Sequence, residues 1–118
     1  PGSAGIAKGA AGYLSLPPKA VREDFAPDVK PEEQKLIAAT QGPIKADAFA
    51  EKVTHAAWHD KPSWYVVSKN DRMINPELER AMAKTIHAKT TEVAASHVSM
   101  VSHPEAIART IEQAVDAH

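Results

Sequence analysis

Residues 61–104 read KPSWYVVSKNDRMINPELERAMAKTIHAKTTEVAASHVSMVSHP, and the order of elements in this stretch decides the fold. The segment 63–68, SWYVVS, is a compact run of aromatic and β-branched residues, of the kind found in strands covered on both faces of a parallel sheet. Asn75 and Pro76 then read as a helix N-cap followed by proline in the first turn, where a missing N–H costs nothing. From there Leu78, Met82 and Ile86 recur at i, i+4 and i+8, with Glu77, Glu79, Arg80 and Lys84 on the other faces. That spacing predicts an amphipathic helix over 76–88. A second strand is predicted over 91–95. Strand, helix and strand in this order make a βαβ crossover, which forces the two strands parallel.

If the two strands are neighbours, their carboxyl ends lie about 4.8 Å apart. Asp71 follows the first strand and His97 the second, so both loops open on the edge where α/β sheets bind ligands. A carboxylate beside an imidazole has a definite use there. It accepts the Nδ1–H bond, fixes the tautomer, and stabilises the imidazolium formed when the other nitrogen takes a proton. Asp71 and His97 are therefore the candidate catalytic residues.

The motifs SKNDRMINPE and SHVSMVSHP resemble the C-terminal half of an α/β-hydrolase, in the small esterase branch that includes the plant methylesterases and hydroxynitrile lyases. The resemblance implies that Asp71 is the acid after the seventh strand and His97 the histidine after the eighth. The family's histidine loop usually reads Asp-His-Met-x-Met; here Ser96 replaces the first residue and Val98 the third, while Met100 matches. The lyases carry lysine directly after the histidine, and Val98 in that place disfavours a lyase. The resemblance is specific from Lys61 onward and looser before it.

The departure from the family lies in what is missing. The nucleophile elbow Gly-x-Ser-x-Gly has no counterpart, since Gly2-Ser3-Ala4-Gly5 is one residue too short and has no hydrophobic strand before it. The resemblance thus implies half of a serine esterase, with cap residues at 1–55 and the C-terminal part of the core at 56–118. Its partner would be an N-terminal half carrying the serine, and its substrate a small-molecule ester. This chemistry needs no metal or organic cofactor, and the chain alone is expected to be inactive.

The 118 residues suit one domain, incomplete by itself, with 43% apolar residues and a net charge of −1. Nothing in that balance favours nucleic acid or an anionic membrane. The chain has no cysteine, and no apolar run approaches a bilayer span. No signal peptide is visible, so the expectation is a soluble protein, in the cytoplasm rather than secreted.

Residues 1–18 are rich in glycine, alanine, serine and proline and read as a loop. Residues 19–25 read as a short strand or turn. A helix is predicted from Pro31 to about Thr40, with Glu32 and Glu33 in its first turn, and a second short helix over 45–52. By resemblance this region forms the cap, and Phe25, Leu36, Ile37, Phe49 and Trp58 are candidates to line the substrate pocket. Ordinary packing between cap helices explains the same apolar residues. Ser102 and Glu105 stand at capping-box spacing, and Ile107, Ile111 and Val115 make one stripe of a last helix over 104–117. That helix is expected to cover the sheet face opposite the 76–88 helix.

His55 and His59 stand at i, i+4 as zinc-binding pairs do, but Ala56 occupies the place of the glutamate in H-E-x-x-H and no third ligand is evident. No metal site is therefore expected. His87 ends its helix, where a charged imidazole would suit the dipole, and His103 and His118 have no assigned task. Lys69 and Arg72 flank Asp71, as substrate contacts or as two solvated charges. With only two strands foreseen, the 63–68 strand needs another partner. A different class of function, a non-catalytic binding module that exchanges strands in a homodimer, would supply one and would leave Asp71 and His97 without a role.

Overall fold

The structure is a computed structural model, and it describes residues 1–117. His118 lies outside the described residues. In chain order the strands are β1 Ala7–Lys8, β2 Tyr13–Ser15, β3 Ile44–Lys45, β4 Trp64–Ser68 and β5 Lys89–Val93. The helices are α1 Pro18–Ala20, α2 Pro31–Thr40, α3 Pro76–Thr85, α4 Ser99–Ser102 and α5 Pro104–Asp116.

The βαβ unit forms as its sequence dictates. β4 and β5 pair in parallel, from Trp64 opposite Lys89 to Ser68 opposite Val93, with α3 as the crossover between them. β5 begins and ends two residues before the expected 91–95, because Lys89 N–H already donates to Ser63 O (2.8 Å). The chain then leaves the ladder at Val93, and Ala95 O is taken by Asn70 N–H (3.0 Å) from the neighbouring loop.

α3 starts as read. The Asn75 side chain accepts from Glu77 N–H, and Pro76 occupies the first turn. It ends at Thr85, three residues before the expected 88, in a Schellman closure: Ala88 N–H donates to Ala83 O (2.9 Å) and His87 N–H to Lys84 O (3.1 Å). His87 takes the left-handed conformation that this closure needs (φ 53°). Arg80 fastens the helix to β5 through both oxygens of Glu92 (2.7 and 3.1 Å), and it also reaches Glu77. The face turned to the protein is that of Glu79 and Ala83, whereas Leu78, expected on the apolar stripe, is 54% exposed.

α5 packs against the opposite face of β4 from α3, as expected, over Trp64 and Val66. Its stripe is only partly covered, with Ile111 59% and Val115 66% exposed. The capping box at its start does not form. Because Pro104 is the first helical residue, His103 takes the cap position and Ser102 falls one residue too early to reach the helix N–H groups.

The N-terminal third holds structure that its composition hid. β1, β2 and β3 form a three-stranded antiparallel sheet, with Lys8 opposite Leu14 and Leu14 opposite Ile44. The reversal between β1 and β2 is possible because Ala11 and Gly12 both take positive φ (54° and 77°). Residues 19–25 are helical rather than extended: α1 runs on as one wide π turn, Val21–Phe25. The segment expected as a helix over 45–52 is a 3₁₀ turn, Ala46–Ala50, whose Phe49 is largely exposed. α2 matches its expected bounds.

Several contacts fasten this third to the rest. Val21, Ala26 and Val29 build a core cluster with Val98 of the histidine loop, flanked by Leu16, Phe25, Ile37 and Ala38. Arg72 binds Asp24 (2.7 Å), and Gly2 lies so close to the Arg72 carbonyl and the Met73 sulfur that a side chain there would collide with both. No helix among the described residues is long and apolar enough to cross a membrane.

Candidate active site

The turn after β4 places the first carboxylate. Asp71 N–H donates to Ser68 O (3.1 Å), closing a turn that points the side chain inward. That side chain is 1% exposed. Its Oδ1 accepts from Met73 N–H (2.7 Å) and Ile74 N–H (2.9 Å), and its Oδ2 lies 2.7 Å from His97 Nδ1. Buried carboxylates survive in folded proteins when both oxygens are hydrogen-bonded in this way. The bond to Asp71 commits Nδ1 of His97 and leaves Nε2 as the nitrogen for proton exchange. The two residues singled out in the sequence are therefore in direct contact, 26 positions apart.

Glu79 stands behind Asp71. It is 5% exposed, and its Oε2 accepts from Ser68 N–H (3.0 Å). Burial, and next the Asp71 carboxylate, push the Glu79 carboxyl above the usual range. Burial, and next the charges of Glu79 and Asp71, push the Tyr65 phenol up as well. The sequence places Glu79 only off the apolar stripe of α3, and nothing in a helical pattern distinguishes an exposed glutamate from one turned into a site.

In front of His97 lies a cavity of about 700 Å³. Its apolar wall includes Leu14, Leu16, Phe25, Ile37, Phe49 and Ile74. The Phe25 ring is 5.3 Å from the His97 ring. Of the residues taken from the sequence as pocket candidates, Phe25, Ile37 and Phe49 are in this wall. Leu36 and Trp58 are not: Leu36 faces outward on α2, and Trp58 stacks on His59 with ring centroids 3.7 Å apart. The contributions of Leu14 in β2, Leu16 just after it and Ile44 in β3 are not evident from the sequence reading, although Tyr13-Leu14-Ser15-Leu16 alternates with the period of a strand.

Ser3 shares the cavity wall with His97, but it sits in the 3₁₀ turn Gly2–Gly5 and not on a strand-to-helix elbow. Arg72 turns to Asp24 rather than to the cavity. His55 is in an irregular segment and His59 in a 3₁₀ turn, so the two do not share a helix face. Among the described residues no three His, Asp or Glu side chains group as a metal site would require.

The sequence model of the alpha/beta hydrolase family matches residues 2–110. Among solved structures, polyneuridine aldehyde esterase superposes with a TM-score of 0.75 at 15% identity, over 86% of this chain and 42% of that one. A histidine-to-alanine mutant of the same enzyme gives 0.74 at 14% identity over the same shares. No curated protein matches. At such identities the likeness speaks for the fold alone, and the chain spans less than half the length of these structures. Matched over most of its length by the family's pattern, with the parallel β4–β5 pair and its crossover helix in place, the chain belongs to the alpha/beta hydrolase family.

Proposed function

We propose that this chain supplies the acid and the histidine of a Ser-His-Asp esterase whose serine comes from an N-terminal half outside it. The observation that carries the reading is the 2.7 Å bond between Asp71 Oδ2 and His97 Nδ1, made by a carboxylate already held by two backbone N–H groups at the wall of an apolar cavity. Residues 1–55 act as the cap and 56–118 as the C-terminal part of the core. The half-length match to the esterase structures and the apolar side chains left open at Leu78, Ile111 and Val115 support a missing half that continues the sheet beside β4 and β5.

In this reaction the serine hydroxyl attacks the ester carbonyl while His97 Nε2 takes its proton. The imidazolium, stabilised by Asp71, then returns that proton to the leaving alcohol. Water repeats the cycle on the acyl-enzyme. Backbone N–H groups of the N-terminal half form the oxyanion hole, and no step calls for a metal or organic cofactor. Among the described residues the cavity wall carries no Asp, Glu, Lys or Arg side chain, so the substrate is an uncharged carboxylic ester with an apolar acyl or alcohol group.

The test mixes this chain with a complementary N-terminal half that carries a Gly-x-Ser-x-Gly segment, and follows p-nitrophenyl ester hydrolysis and native mass. The chain alone stays silent, because loss of a triad nucleophile costs about 10⁶ in kcat. A one-to-one complex turns over, and His97→Ala stops it. Turnover that survives His97→Ala sinks the catalytic assignment, and a stable homodimer that ignores the complementary half points to a strand-exchanged binding module instead.

A further inference from the structure

The backbone on both sides of His97 is held by the segment 21–29, beyond the last bond from the β4 side, Asn70 N–H to Ala95 O (3.0 Å). On one side, Ser96 is 1% exposed and gives both of its donors to Asp28, 68 residues earlier: its N–H to Oδ2 (2.8 Å) and its hydroxyl to Oδ1. On the other side, Val98 is buried in the cluster of Val21, Ala26 and Val29. The segment itself is braced, since Gln34 Nε2 of α2 donates to Ala26 O (2.8 Å) and Val29 N–H donates to Ala26 O (3.3 Å). β5 has already ended at Val93, so no ladder bond fixes Ser96 or His97.

We propose that Asp28 is a positioning residue for His97: by taking both donors of Ser96 it sets the height and rotation of the histidine loop, so that the imidazole meets Asp71. This rests on the reading of His97 and Asp71 as the catalytic pair. The chemistry suits the task. Two charge-assisted bonds from one residue to the two oxygens of one carboxylate restrict rotation as well as distance. The Asp28 side chain keeps 28% of its exposure, and Ser102 and His103 are the other polar groups around it, with His103 Nδ1 at 3.9 Å from Oδ2. Burial acts to raise the Asp28 pKa, but the bonds from Ser96 and Ser102 outweigh it and lower the carboxyl below its usual value, in keeping with an ionised acceptor. A loop position lost by about 1 Å costs a reaction on the order of 10²-fold. Asp28 thereby makes the segment above the cavity part of the catalytic frame.

The experiment compares Asp28→Ala, Asp28→Asn and Ser96→Ala with the parent. One readout is the exchange rate of the His97 Nδ1 proton by NMR in the isolated chain. The other is kcat and KM on a p-nitrophenyl ester in the complemented enzyme. In Asp28→Ala the proton exchanges at least about 10-fold faster, and kcat falls by about 10- to 100-fold with KM changed less than about threefold. Asp28→Asn, whose carbonyl still accepts from Ser96 N–H, stays within about threefold of the parent in both readouts. Ser96→Ala keeps the backbone bond and falls between the two. The proposal is overturned if Ser96→Ala and Asp28→Ala leave proton exchange at the parent rate in folded protein, or if Asp28→Asn is as damaging as Asp28→Ala. The NMR result stands whether or not the complemented enzyme hydrolyses esters, so failure of the positioning idea and failure of the esterase reading are told apart.

Discussion

Replacing Asp71 by asparagine keeps the shape of the side chain and changes one acceptor into a donor. The retained carbonyl can still take Met73 N–H and Ile74 N–H, the two bonds now made by Oδ1 at 2.7 and 2.9 Å. The new amide then faces His97 Nδ1 at the 2.7 Å contact, donor against donor. Because the site is buried to 1% on the Asp71 side, water cannot relieve the clash. The imidazole escapes by moving its proton to Nε2, so that Nδ1 accepts from the amide. What is lost is one hydrogen bond to a charged group, about 1.5–3 kcal/mol of stability, together with the basic nitrogen. In serine proteases the equivalent change lowers kcat by about 10⁴ through the wrong tautomer, and the same order is expected in the complemented enzyme. The assay is ¹⁵N NMR of the His97 ring with urea titration of the same samples. An imidazole that keeps its proton on Nδ1 in Asp71→Asn, with stability within about 0.5 kcal/mol of the parent, refutes the assignment of that bond.

Glu79 gives a prediction in pH. Its folded carboxyl titrates above the usual glutamate value of 4.5, because burial and the Asp71 carboxylate disfavour its charge, so the native chain holds this proton more tightly than the unfolded one. Native stability therefore falls as pH rises from about 4.5 through the folded value and is level above it. Glu79→Gln removes this loss and keeps an acceptor for Ser68 N–H, so urea midpoints of variant minus parent become more favourable as pH rises above about 4.5; a constant difference contradicts the raised carboxyl. Asp28 has the opposite sign. Its folded pKa lies below 3.8, so its contribution is present above that pH and lost as pH falls through the folded value, and Asp28→Asn flattens the acid limb of the stability profile. At the end of α3, His87 occupies the left-handed position that favours glycine. His87→Gly raises stability by about 0.5–1 kcal/mol in urea melts, and a destabilised variant would show that the imidazole itself contributes there.

What the sequence determined by itself follows from local rules. Apolar β-branched residues before an Asn-Pro helix start, and a second strand after the helix, suffice for a parallel pair, because a crossover of that length leaves no other pairing. The strand ends then carry Asp71 and His97 to one edge wherever the strand boundaries fall, which is why a two-residue error in β5 did not separate them. Helix starts at Pro31, Pro76 and Pro104 were legible for the same reason: proline with its fixed φ marks a first turn whatever packs above it.

Only the tertiary structure decided the rest. The strands β1 and β3 have two residues each and exist through pairing across the chain, which no local period records; β2 shows one brief alternation, too short to read alone. Whether Glu79 faces water or Asp71 depends on where α3 rests against β4, and a stripe of Leu78, Met82 and Ile86 is only half right, since Leu78 lies exposed while Glu79 and Ala83 are buried beside the half-buried Met82. Asp28 and Ser96 are unremarkable polar residues 68 positions apart until the core of Val21, Ala26, Val29 and Val98 brings them together. Sequence spacing governs contacts within an element and along its ends; contacts between distant segments are set by which apolar faces bury one another, and that is settled only when the whole chain packs.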